Sequence, residues 1–154
     1  MSSFHENSLN IGIFVRDTEP GTYHWCLYMH HTGSTGKKYH IRNLGSGWLT
    51  EFGILKSALK EMLLIGYVRI ASIPPEKQAE ADRLIESTPI NREGVTCRTW
   101  LLEALGSLVS AGIVVCSHLE ELEEEVRTFG AANFSEAGLK TVNPPIVDST
   151  LCKL

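Results

Sequence analysis

Thr22-Tyr23-His24-Trp25-Cys26-Leu27-Tyr28-Met29 is rich in aromatic and large apolar side chains, the composition of a β-strand. A second run, residues 37–44, reads the same way and contains His40. The stretch between them, residues 30–36, holds two glycines and predicts a seven-residue hairpin loop. If Met29 and Lys37 flank that loop, His40 falls opposite Cys26 and becomes the diagonal cross-strand neighbour of His24. Both imidazoles then share one face of the sheet with Cys26.

The second organising stretch is residues 92–105. Gly94 and Thr96 form a polar lead-in, and Trp100, Leu101, Ala104, Leu105 and Leu108 recur at helical spacing. Thr96 is a candidate N-cap, which places Cys97 in the first turn. Backbone N–H groups and the positive end of the helix dipole there favour the thiolate, the form of cysteine that attacks carbonyls. His24 is the candidate base, and His40 is the group that would fix its orientation and tautomer.

Outward from these stretches, residues 9–15 predict a first strand, closed by a turn at 16–21, and residues 63–73 predict a fourth. Residues 52–62 carry Ile54, Leu55, Ala58, Leu59 and Met62 at helical spacing and predict a short amphipathic helix. Pro74-Pro75 opens a surface helix over 76–87. Residues 117–129 predict a charged helix whose acidic run, Glu120 to Glu125, is a solvated face. The fold class is α+β, an antiparallel sheet of about four strands packed against helices. Residues 1–130 form one domain, and the Ala-, Gly- and Pro-rich residues 131–154 form a C-terminal extension.

With 154 residues the chain can bury a core unaided, and its 43% hydrophobic and 21% charged content is that of a globular protein. A net charge of −4 offers no footprint for nucleic acid or an anionic membrane. No apolar run reaches spanning length, so no membrane contact is expected. Four widely spaced cysteines and a polar residue 1–8 segment predict free thiols in a reducing, cytoplasmic setting.

The order of strand histidine, second strand histidine and distant helix-opening cysteine resembles the circularly permuted papain-like proteins. These include the lecithin:retinol acyltransferase-like and NlpC-related enzymes and the small desumoylating isopeptidases. His24-Trp25-Cys26-Leu27-Tyr28 matches the acyltransferase-like first histidine with its following aromatic and apolar residues. Val95-Thr96-Cys97-Arg98-Thr99-Trp100, running into Leu105-Gly106-Ser107-Leu108, also resembles a group of small fungal proteins with no assigned activity. The family's cysteine commonly follows an asparagine, where this chain has Thr96.

The resemblance implies a permuted papain-like arrangement, with Cys97 as nucleophile, His24 as base and His40 as orienting third member. The backbone N–H of Cys97 would belong to the oxyanion hole. It implies a cysteine-dependent hydrolase or acyl-transferase that acts on an amide, ester or thioester of a small-molecule or peptide substrate, without a cofactor. Trp48, at the end of a glycine-rich loop, and Cys26 are the candidate substrate-binding residues, each weighed against a packing role. A zinc site from His24, Cys26, His40 and Cys97 is chemically conceivable, but the chain lacks the close ligand pairs usual for one, and no metal is expected. The alternative function is a non-catalytic binding or regulatory module on the same fold.

Overall fold

Strands β1 (Ser8–Val15), β2 (Tyr23–Thr32) and β3 (Thr35–Asn43) form an antiparallel meander. Met29 pairs with Lys37 and Leu27 with Tyr39, the register expected from the sequence. The turn is tighter than expected. Both strands continue to the Thr32–Thr35 pair, leaving Gly33 and Ser34 at the bend, with Gly33 at φ 59°. His30 is therefore a strand residue, buried, with its Nδ1 2.8 Å from the Tyr28 hydroxyl, rather than part of a loop. The computed structural model describes residues 3–18, 20–137 and 143–154.

The helix expected over 52–62 is instead strand β4 (Trp48–Lys56), followed by a short 3-10 turn at Ala58–Lys60. Tertiary contacts override the apparent helical spacing. Phe52 packs 5.8 Å from Tyr39 across the strand pair and stacks on Trp100 at 6.0 Å, whereas Ile54 and Met62 are exposed at 67% and 86%. Apolar residues that stay in solvent carry no information about a buried stripe.

Strand β5 (Leu64–Ser72) pairs antiparallel with β1, and β6 (Ile146–Asp148) adds to β5 in parallel. The sheet thus has six strands in the order β4-β3-β2-β1-β5-β6, within the expected α+β class but larger than four strands. Residues 146–148 are part of the sheet, and the expected extension boundary at 130 falls inside the third helix. Residues 138–142 of that extension lie outside the described residues.

Three helices follow: α1 (Pro75–Glu86), α2 (Cys97–Ser110) and α3 (Leu119–Asn133). They cover one face of the sheet. Tyr23, Trp25, Leu27 and Met29 of β2 face them, in one cluster with Ile85 of α1, Trp100 and Leu105 of α2, and Leu122 of α3. Trp25 and Trp100, which join sheet to helix, are 2% and 0% exposed. Trp100 Nε1 donates to the Thr88 carbonyl at 3.3 Å, tying α2 to the end of α1.

The opposite face carries the alternate residues of the same strands. Phe14, Cys26, Tyr28, Leu64 and Tyr67 form a smaller core there, closed by Ala58 and flanked by Phe4. Cys116 and Cys152, expected as free thiols, are disulfide-bonded, leaving Cys26 and Cys97 free. Their pairing could not be read from spacing, since 36 residues separate them and an isolated antiparallel bridge between the two positions brings them together.

Candidate functional site

His24, His40 and Glu51 form a hydrogen-bonded chain on the sheet face away from the helices. His24 Nε2 lies 2.8 Å from His40 Nδ1, and His40 Nε2 lies 2.8 Å from Glu51 Oε1. The strand register produces this directly, because His40 pairs with Glu51 across β3 and β4 while His24 sits diagonally on β2. Arg42 Nη1 holds the other carboxylate oxygen at 3.1 Å.

Glu51 sets the tautomers of the chain. Burial raises its pKa, but the hydrogen bonds from His40 and Arg42 outweigh that and hold it below the ordinary carboxylate value. An ionised carboxylate only accepts, so His40 Nε2–H donates to it, and neutral His40 Nδ1 accepts from His24 Nε2–H. The remaining lone pair of the chain is on His24 Nδ1. Burial, then the neighbouring His40, Lys38, Arg16 and Arg42, lower the His24 pKa to about 4. Burial and Lys38 likewise lower His40 to about 4 against the opposing pull of Glu51. Both rings are neutral at pH 7, and His24 is a weak base, far from the strength suited to proton abstraction at that pH.

Cys97 lies on the other side of the sheet. Thr96 caps α2 in a reciprocal capping box with Thr99, so the expected helix start is observed. The thiol is 2% exposed within the helix-covered core, and its Sγ–H donates to the Tyr23 carbonyl at 3.9 Å. Neither histidine is a hydrogen-bond partner of that sulfur among the described residues. Side chains alternate across a strand, so the face that Tyr23 and Trp25 present to α2 excludes His24.

The structure therefore brings His24 and His40 together as expected and does not bring Cys97 to them. Cys26 shares the histidine face but has no exposed surface, and burial pushes its thiol up to about 12. It packs against Gly12 and Tyr67 and presents nothing to a substrate. Trp48 is half-buried against the helix-side core, away from the histidines. His24, Cys26, His40 and Cys97 do not converge, and no metal-binding cluster of His, Cys, Asp or Glu occurs among the described residues. Glu51 was missed because it falls between the glycine-rich loop ending at Trp48 and the helix expected over 52–62, in residues given no element.

A model described as a family of unknown function (DUF6914) matches residues 6–136. The chain belongs to this family. The DUF6914 match spans His24, His40, Glu51 and Cys97, while Cys152 and β6 lie beyond it. No curated protein and no solved structure matches the chain. No helix among the described residues is long and apolar enough to cross a membrane.

Proposed function

We propose that this DUF6914 chain is a non-catalytic binding module. One observation carries the reading: the Cys97 thiol is buried on the helix side of the sheet, and His24 and His40 are on the other. A cysteine nucleophile needs a base within hydrogen-bond reach and a substrate carbonyl within contact, and a thiol that is 2% exposed has neither. The Glu51–His40–His24 chain then acts as a polar strut that fixes β2, β3 and β4 in register. Its ligand would be a small molecule or a peptide. The cytoplasmic setting expected from the sequence is not carried into the proposal, because the Cys116–Cys152 bond favours an oxidising compartment.

The second reading, a thiol hydrolase or acyl-transferase, draws support from the capped helix start that bears Cys97. Incubation with an activated ester such as p-nitrophenyl acetate, followed by peptide mass spectrometry, separates the two. The binding-module reading expects no acetyl group on Cys97. Acetylation of Cys97 that depends on His24 would replace it with the enzyme reading.

A further inference from the structure

We propose that the cleft between α1 and the β2–β3 hairpin binds a small primary amine with an apolar body. This rests on the binding-module reading above and adds a site and a ligand class to it. The cleft has a volume of about 230 Å³ and an apolar wall that includes Met29, Ile73 and Ile85. A cavity of ~150 Å³ already admits a benzene-sized guest, so a ring with a short side chain fits.

The polar groups at one side decide the head group. Asp82 Oδ1 accepts from Lys37 Nζ at 2.6 Å and from the Tyr39 hydroxyl at 2.7 Å. Its Oδ2 makes no hydrogen bond among the described residues. Gln78 Nε2 donates to Asn7 Oδ1 and the Ile73 carbonyl, both at 2.9 Å, leaving Gln78 Oε1 without a partner among them. Glu86 is a second carboxylate on the Lys37 ammonium. Acceptors thus remain on Asp82 and Gln78, the donors left are one N–H of Lys37 and the ring of His31 on the cleft wall, and two carboxylates are set against one ammonium. A ligand with N–H donors and positive charge meets the free acceptors and offsets the excess carboxylate, to which an anionic head group would add.

The test uses the full chain with 2-phenylethylamine as probe, followed by amide chemical-shift titration, with 3-phenylpropionate and 2-phenylethanol as comparators. The amine is expected to give saturable shifts in α1 and the β2–β3 hairpin and to bind more tightly than either comparator. Asp82→Asn, which keeps the shape and an acceptor for Tyr39, is expected to weaken it by about tenfold or more, the scale of a charged hydrogen bond. Ala79→Trp, at an exposed position on the cleft, is expected to block it without touching the core. Equal or tighter binding of the acid or alcohol, absence of amine binding, or indifference to both substitutions would overturn the proposal. These outcomes are separate from the ester experiment. Loss of the amine site with Cys97 unacetylated removes the ligand assignment alone, and acetylation of Cys97 removes the reading beneath it.

Discussion

His24 Nε2 lies 2.8 Å from His40 Nδ1, a diagonal contact between neighbouring antiparallel strands with both rings neutral. Two imidazoles this close cannot both be charged without strong repulsion, and burial adds to the cost. Glu51 relieves the arrangement by accepting from His40, so the chain is stable as a string of neutral donors and acceptors ending on a carboxylate. Its behaviour on acidification follows.

Both histidines have folded pKa values of about 4, below the unfolded value near 6.5. Between those values the unfolded chain binds more protons, so stability is complete above pH 6.5 and falls as pH drops toward 4. The loss should reach a few kcal/mol, on the order expected for two coupled sites. Denaturation midpoints measured across this range should slope in the wild type. The double variant His24→Gln/His40→Gln should show a much shallower slope there, keeping the share of buried His30, whose pKa is also lowered by burial, and the loss below about pH 4 where carboxylates protonate. An identical slope in both would show that the rings are not held neutral.

Gly36 is paired with His30, and a Cβ built there would collide with the Met29 carbonyl oxygen. Backbone cannot yield as a side-chain tip does, so Gly36→Ala should cost about 1–3 kcal/mol. Gly53 on the outermost strand has nothing within 4 Å, and Gly53→Ala should leave stability nearly unchanged. Thermal denaturation of the two variants checks the register of the hairpin, since equal midpoints would contradict it.

Residues 52 and 54 distinguish strand from helix in the disputed segment. Phe52 stacks on Trp100 at 6.0 Å, and Phe52→Ala should destabilise by roughly 1–3 kcal/mol. Ile54 is 67% exposed, and Ile54→Ala should stay within about 0.5 kcal/mol. An amphipathic helix over 52–62 would bury Ile54, so a large Ile54→Ala effect in urea unfolding would restore it.

The Cys116–Cys152 bond closes a long loop around α3 and anchors the segment bearing β6. Unfolded, unreduced protein should take up two alkyl groups, on Cys26 and Cys97, and four after reduction. Cys152→Ser should cost about 2–4 kcal/mol. Four reactive thiols before reduction would contradict the bond.

The hairpin register and the helix starting at Cys97 were legible in the sequence because both rest on local signals: alternation around His24 and His40, and the Thr96 cap before a periodic apolar face. Strand β4 was not, because it is an edge strand only partly covered by the helices: Ile54 shares the face of Phe52 yet stays in solvent, free to mimic a helical stripe. β6 and the disulfide depend on contacts between residues far apart in the chain. The relation of Cys97 to His24 was hidden for another reason. Periodicity tells which residues of β2 share a face, but not which face α2 covers. Tyr23 and Trp25 take that face, and the histidines go to the other.

The most direct test of the binding-module reading is the rate at which iodoacetamide alkylates Cys97 in the native protein near neutral pH, beside the same measurement on His24→Ala. The account predicts slow alkylation, limited by opening of the core and not slowed by the loss of His24. Rapid alkylation that becomes slow in His24→Ala would place an activated thiolate next to that histidine and contradict the account.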